Sequence, residues 1–426
     1  MRSSQVLRGQ VPLCGHATVE VQTCNVFVSA AGKGLITIAD DPRTLAGLGE
    51  FGFIGAMSAR LPPGHRTLVG IGDDAAVLAT PDGRVVATTD FLLEGRHFRR
   101  DWSGGRDVGH KAAARSLADV AAMGAVPTAL LVALAVPPDL PVDWALDLAS
   151  GLAAECERAG ASVIGGDTAR ASSVLLAVTG LGDLAGLPPV LRSGASPGDV
   201  VAITGPLGHA AAGLALLSAR LPDQPVSGPS PPDQPLPGSP VRGPSLPDRP
   251  LRGPSADQPQ PDRPVGRSLP GRSLVAAHLR PEPPYDAGPE AARLGATAMI
   301  DISDGLLADL GHIADASGVL IDLEPAQLRP GEPLLEAARA VPAPRRHVDF
   351  FGRTDGGDPG RPADPDLELA LQWVLTGGED HSLAATFPPA VTLPARWTVI
   401  GEVLPGRGVL VAGRLWTGPA GWDHFA

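Results

Sequence analysis

Met299-Ile300-Asp301-Ile302-Ser303-Asp304-Gly305 runs from an apolar, strand-like stretch into an acidic turn, and residues 306–314 then carry a helical pattern. Strand, turn and helix in that order belong to a layered α/β architecture. The same grammar recurs along the chain. Leu68-Val69-Gly70-Ile71-Gly72-Asp73-Asp74, Val85-Val86-Ala87-Thr88-Thr89-Asp90, Ser162-Val163-Ile164-Gly165-Gly166-Asp167 and Val374-Leu375-Thr376-Gly377-Gly378-Glu379-Asp380 each carry an apolar run into carboxylates. One carboxylate at a strand end is ordinary turn chemistry. A fivefold recurrence asks for more. Gathered carboxylates repel unless a cation lies between them, and hard divalent ions held by oxygen are the usual solution. Magnesium in turn points to a phosphorylated substrate.

Outward from these segments, residues 44–59 read as a helix and strands end at Asp73 and Asp90. A long helix spans about 108–123 and exits through Gly124-Ala125-Val126-Pro127, a glycine stop followed by proline. Strand 129–136, helix 143–159 and strands 162–164 and 174–181 complete an N-terminal domain, 44–185. A C-terminal domain, 186–426, opens with Gly198-Asp199-Val200-Val201-Ala202-Ile203-Thr204-Gly205 as strand and turn, followed by helix 209–219. The expected class is α/β (α+β), two sheet domains with helices packed on them. Residues 1–43 read as a poorly ordered extension. Residues 221–272 hold roughly a third of the 46 prolines, in an imperfect repeat such as Gly243-Pro244-Ser245-Leu246-Pro247-Asp248-Arg249-Pro250. That composition buries too little apolar surface to offset chain ordering, so a disordered insertion is expected, with a shorter loop at 352–366.

At 426 residues the chain has room for two domains, and 43% hydrophobic content fits a globular protein. A net charge of −12 argues against nucleic acid or an anionic membrane as principal partner. A polyanion such as ATP then has to arrive with metal ions or meet local arginines; Lys33 and Lys111 are the only lysines. No apolar stretch reaches the roughly 20 residues of a membrane helix. No signal-peptide core follows Met1-Arg2, and Cys14, Cys24 and Cys156 form no close pair, so a cytoplasmic protein is expected. The P-loop and protein-kinase signatures are absent, and no histidines stand at zinc-ligand spacing. Gly205-Pro206-Leu207-Gly208, entering a helix, is a weak phosphate-loop candidate.

Taken singly, each carboxylate has a plain structural reading. Asp73-Asp74 suit an Asx turn or cap, Asp90 a solvated strand end, Ser303 or Asp304 a helix N-cap, and Glu379-Asp380 a turn. Asp119 lies in an otherwise apolar helix, where it either pairs with Arg115 four residues earlier or faces a metal. Asp301 is left over by the capping account.

Further stretches complete a pattern. They are Gly49-Glu50-Phe51, Ala75-Ala76-Val77-Leu78, Glu94-Gly95-Arg96-His97-Phe98, Lys111-Ala112, Ser116-Leu117-Ala118-Asp119-Val120-Ala121-Ala122-Met123-Gly124-Ala125, Arg192-Ser193-Gly194-Ala195-Ser196-Pro197-Gly198-Asp199 and Gly421-Trp422-Asp423-His424-Phe425. Read in order with the acidic segments, from about residue 45 onward, they resemble the thiamine-monophosphate kinases. That family lies in the superfamily of aminoimidazole ribonucleotide synthetase, selenophosphate synthetase and the hydrogenase-maturation dehydratase.

The resemblance implies a two-domain, synthetase-like fold: an N-terminal sheet domain that dimerises through its sheet, then a C-terminal α/β domain. It implies ATP-dependent phosphorylation of thiamine monophosphate to thiamine diphosphate by direct in-line transfer, with several Mg2+ ions and no protein nucleophile. Carried over by motif, Asp74, Thr88, Asp90, Asp119, Asp167, Asp301 and Asp304 hold the metals. Thr89, Gly166, Asp167, Arg192 and Ser303 contact ATP. His97, Glu379 and Trp422 shape the substrate pocket, Trp422 by stacking. Which of Asp73 and Asp74 is the direct ligand stays open. The chain departs from the family at His381, where tyrosine is usual; this is expected to alter packing near Glu379 without touching the metals. The competing readings are another ATP-using superfamily enzyme with a different substrate, and a non-catalytic nucleotide-binding module. The cysteines of the hydrogenase-maturation and selenophosphate relatives have no counterpart, since Cys14 and Cys24 precede the matched region and the chain ends Trp422-Asp423-His424-Phe425-Ala426.

Overall fold

The computed structural model describes residues 44–48, 50–71, 76–219, 271–341, 364–416 and 420–421. Expectations for the 1–43 extension, for Asp73 and Asp74, for Trp422, for nearly all of the Pro-rich insertion and for most of the 352–366 loop fall outside these residues. The end of that loop is helical, because a helix spanning Pro365–Thr376 opens there.

After α1 (Leu45–Leu48) and α2 (Glu50–Ser58), β1 (Thr67–Val69) and β2 (Val77–Leu78) form a short antiparallel ribbon. β3 (Val86–Leu93), β4 (Val126–Val136), β5 (Val163–Arg170) and β6 (Leu175–Asp183) build a four-stranded sheet in the order β3-β6-β4-β5, with only β4 and β5 parallel. Strand alternation sends Leu92, Leu130, Val132, Leu134, Leu176 and Val178 to one face. There they meet Val108, Leu117, Leu148 and Leu152 of α3 (Gly105–Ala122) and α4 (Val142–Ala159). The opposite face is open: Phe91 is 58% exposed.

The two helices meet backbone to backbone. A Cβ on Gly109 would lie 2.0 Å from the Leu148 carbonyl oxygen, and one on Gly151 would lie 2.1 Å from that of Arg106. Gly151→Val is therefore expected to destabilise the fold by at least about 3 kcal/mol, because backbone cannot yield as a side chain does. A thermal melt unchanged from wild type would contradict this packing.

The second sheet runs β13-β12-β9-β11-β7-β10-β8. Its strands are β7 (Val200–Thr204), β8 (Ala298–Asp301), β9 (Leu320–Leu323), β10 (Leu383–Phe387), β11 (Thr398–Leu404), β12 (Gly408–Val411) and β13 (Arg414–Leu415). Helices α5 (His209–Ala219), α6 (Arg272–Leu279), α7 (Ala287–Leu294), α8 (Leu306–Ser317), α9 (Glu332–Ala340) and α10 (Pro365–Thr376) accompany it. Ile203, Ile300, Leu306, Leu310, Ile321, Val374 and Ile400 form its main core. α3 is the shared element: besides its own sheet it touches α6, α7 and β8. Gly288 of α7 lets that helix press on the Ala121 carbonyl. Asp119, near the end of α3, is thereby delivered to the end of β8.

Several boundaries differ from the sequence reading, and Val374-Leu375-Thr376, grouped with the strand-like runs, is the end of helix α10. Asp90 is no strand end, since β3 continues to Leu93, and Gly165-Gly166-Asp167 is no turn, since β5 continues to Arg170. Gly166 serves close approach: a Cβ there would sit 1.9 Å from the Val132 carbonyl oxygen. Likewise Val126-Pro127, read as a helix exit, already belongs to β4. Among the described residues no helix is long and apolar enough to cross a membrane.

Candidate active site

β3 turns Thr88 and Asp90 toward α3, and Thr89 and Phe91 toward the open face. On α3, Ser116 and Asp119 are three residues apart and share a face. Ser116 Oγ donates to Asp90 Oδ2 at 2.9 Å, and Thr88 Oγ1 donates to Asp119 Oδ2 at 2.6 Å. Arg115 does not take Asp119 as its ion-pair partner. Its guanidinium lies 3.9 Å from Asp90 and 3.6 Å from Glu379.

Asp301 ends β8 and is 3% exposed. In the turn behind it, the backbone N–H groups of Ser303, Asp304 and Gly305 donate to Asp309 Oδ2 at 3.1, 3.1 and 3.0 Å. Neither Ser303 nor Asp304 caps α8; Gly305, at φ 131°, precedes the helix, and a carboxylate of its first turn reaches back. Sequence reasoning missed Asp309. The available signal was an aspartate four residues beyond Asp-Gly, in an otherwise apolar first turn.

Burial, followed by the charges of Asp301 and Asp90, pushes the Asp119 carboxyl up to about 8, against the Thr88 hydrogen bond and Arg115. Burial, with Asp301 and then Asp304, pushes Asp309 up to about 8 as well. Three elements thus converge on crowded negative charge, the condition that a bound cation relieves. Among the described residues no three potential ligands stand in a ready-made cage. That is compatible with Mg2+, which binds through one or two carboxylates, waters and substrate phosphates more readily than in an all-protein site. The donor set fits the ion.

The loop from Gly377 to Ser382 sends three successive side chains to three places. Glu379 (φ 67°) and His381 (φ 51°) are left-handed without being glycine, a conformation that concentrates at functional sites. Glu379 Oε2 accepts from Lys111 Nζ at 2.9 Å and lies 3.4 Å from His278 Nδ1. Burial alone would raise the Glu379 carboxyl, but Lys111, His278 and Arg115 bring it down to about 2. Burial and Lys111 press His278 down to about 3, which leaves it neutral. Asp380 accepts from the backbone N–H groups of Gly208 and Ala210 at 2.5 and 2.7 Å. The phosphate-loop reading of Gly205–Gly208 is corrected here: that helix start already holds an internal carboxylate. His381 Nδ1 lies 3.0 Å from Asp301 Oδ2. The packing change expected near Glu379 thus extends to Asp301, a residue that the resemblance assigns to the metals.

Other candidates lie apart. Asp167 sits on β5, the edge opposite β3, and its ladder row is shared with Ala133, Ala177 and Phe91 on the open face. Three strand spacings, roughly 14 Å, separate it from Asp90. Gly166 shares the covered-face row of Asp90 at that distant edge. Thr89 faces the open side and hydrogen-bonds Thr179 at 3.2 Å. Arg192 is exposed in the segment between β6 and β7, where its carbonyl accepts from Ser317 Oγ. His97 Nδ1 accepts from the Leu93 N–H at 2.9 Å, and its carbonyl accepts from Lys111 Nζ at 3.2 Å, so it joins the Glu379 group from behind.

An α/β sheet domain with carboxylates facing its long helix, coupled to a second sheet, is a fold with known relatives. Residues 72–184 match the AIR synthase related protein, N-terminal domain. Thiamine-monophosphate kinase of Mycobacterium tuberculosis is 40% identical over 394 residues, 91% of this chain and 95% of that protein. A crystal structure of thiamine-monophosphate kinase from Stenotrophomonas maltophilia superposes with TM-score 0.60 at 28% identity, covering 86% of this chain and 98% of that one. AaThiL complexed with AMPPCP and TMP gives TM-score 0.60 at 28% identity, covering 89% and 97%. The chain belongs to the thiamine-monophosphate kinase family and is a kinase.

Proposed function

We propose that this chain transfers the γ-phosphoryl group of ATP to thiamine monophosphate, giving thiamine diphosphate and ADP, as a cytoplasmic homodimer assisted by Mg2+. The observation that carries the reading is the meeting of Asp90, Asp119 and Asp301, from β3, α3 and β8, in a family whose relative was solved with AMPPCP and TMP. Transfer of this kind needs alignment and charge neutralisation more than a protein nucleophile. The bond between the γ-phosphorus and its bridging oxygen breaks as a phosphate oxygen of the acceptor bonds to that phosphorus, in line. Asp90, Asp119, Asp301 and Asp304, with Thr88 and Asp74, would hold Mg2+, which when bound neutralises charge on the phosphate oxygens. Ser303 and Arg192 would contact ATP, as would Gly166, Asp167 and Thr89 along β5 and β3. His97, Glu379 and Trp422 would shape the acceptor pocket, Glu379 through its Lys111 and Arg115 pairs.

Domains 44–185 and 186–426 are the proposed units; the four-stranded sheet precedes that boundary and the seven-stranded sheet follows it. The homodimer reading is supported by the uncovered sheet face, where Phe91 and Leu131 are 58% and 36% exposed. Phe91→Asp is expected to convert the dimer to monomer in sedimentation velocity. A dimer of unchanged stability would remove that face from consideration.

The enzymatic test follows thiamine diphosphate formed from ATP and thiamine monophosphate, with free thiamine and magnesium-free samples as controls. Magnesium-dependent product from the monophosphate alone is expected. Product from free thiamine, or none from a folded protein, would overturn the assignment.

A further inference from the structure

His381 carries two costs that a simpler residue would avoid. Its backbone is left-handed at φ 51°, and its ring is buried with Nε2 lacking any hydrogen-bond partner among the described residues. A buried nitrogen without a partner and an unfavourable φ in one residue call for a compensating role. The other ring nitrogen supplies one. A carboxylate only accepts, so Nδ1–H donates to Asp301 Oδ2 at 3.0 Å, with both side chains at most 4% exposed.

The loop is built to keep this contact. The Ile302 N–H donates to the Ser382 carbonyl at 2.7 Å, and the His381 N–H to the Ile302 carbonyl at 2.9 Å. The Glu379 N–H reaches the Ser303 carbonyl at 2.8 Å. The strand bearing Asp301 and the loop bearing His381 are therefore tied on both sides of the pair.

We propose that His381 is a positioning residue for Asp301: it commits Oδ2 to the imidazole and leaves Oδ1 for a divalent cation. The inference rests on the kinase reading for the identity of the ion, not for the contact. Outer partners of this sort fix a ligand's orientation, and losing one typically weakens metal binding or activity about 10- to 100-fold.

The test compares His381→Leu with His381→Asn in the full-length protein. Asparagine tolerates the left-handed backbone, and its side-chain N–H can replace Nδ1–H. Titration calorimetry with Mg2+ alone, without nucleotide, is the first readout. The magnesium dependence of kcat is the second. Leucine is expected to weaken Mg2+ binding about 10-fold or more, and asparagine to restore most of it. Equal losses in the two variants, or a folded leucine variant with unchanged affinity, would overturn the role. Should the leucine variant not fold, histidine-selective 15N spectra of wild type decide the matter. The His381 Nδ1–H signal is expected to shift on Mg2+ addition, and an unmoved signal would overturn the role. If Mg2+ binding depends on His381 while thiamine monophosphate is not phosphorylated, the positioning role stands and the substrate assignment falls. An active kinase with an insensitive Mg2+ titration gives the reverse.

Discussion

Asp119→Asn is expected to reduce thiamine diphosphate formation by at least about 1,000-fold while leaving the protein folded and no less stable. The rate loss follows from removing a charged oxygen donor where phosphoryl transfer depends on electrostatic stabilisation. The stability follows from the opposite side of the same physics. Burial and the charges of Asp301 and Asp90 already disfavour ionised Asp119, with its carboxyl near 8. A neutral isostere relieves that repulsion, and its amide oxygen can still accept from Thr88. Activity falling with stability held or raised marks a residue kept for function. A variant with near-wild-type turnover would remove Asp119 from the metal site, and a variant that unfolds would show that the charge is needed structurally.

Glu155→Ala is expected to show the reverse signature, lost stability with the active-site chemistry intact in whatever remains folded. Glu155 of α4 is fully buried and accepts from His110 Nε2 at 2.7 Å, Arg158 at 2.6 Å and the Tyr285 hydroxyl at 2.5 Å. Arg158 also stacks 4.6 Å over the Tyr285 ring and donates to the Pro283 carbonyl. Glu155 thereby joins α4 to the segment leading into α7. Removing it strands buried donors and a guanidinium, at a cost of about 3–5 kcal/mol, or roughly 10 °C in melting temperature. Burial acts to raise its carboxyl, but His110, Arg158 and Tyr285 together hold it below the ordinary value. A depressed carboxylate stabilises the fold above its unfolded-state pKa and loses that contribution as pH falls through its folded-state value. The variant's deficit should therefore shrink in acid. A melting temperature unchanged at neutral pH would contradict the latch.

How far the sequence spoke for itself can be traced through these residues. The acidic segments marked Asp90, Asp301 and Asp304, a lone aspartate in an apolar helix marked Asp119, and hydrophobic periodicity located most elements of the N-terminal domain together with β7, α5, β8 and α8. The error at Gly165-Gly166 arose because glycine permits both a turn and close backbone approach, and the letters do not distinguish them. Asp90 was misplaced because a polar residue within a half-buried strand looks like its end. The Lys111–Glu379 pair joins residues 268 positions apart, and no local pattern announces it. Asp380 at the start of α5 is likewise tertiary information: from sequence, Gly205–Gly208 had no visible occupant. His381 registered as a family departure, but its link to Asp301 emerged only when β8 and the Gly377–Ser382 loop were brought together.

The most direct test of the central claim supplies ATP radiolabelled in its γ-phosphate together with thiamine monophosphate and follows where the label goes. The account predicts that, with Mg2+, label enters the terminal phosphate of thiamine diphosphate one for one with ADP, and that none enters without the ion. Label accumulating on the protein or only in inorganic phosphate, with no labelled thiamine diphosphate, would contradict direct, metal-assisted transfer between the two substrates.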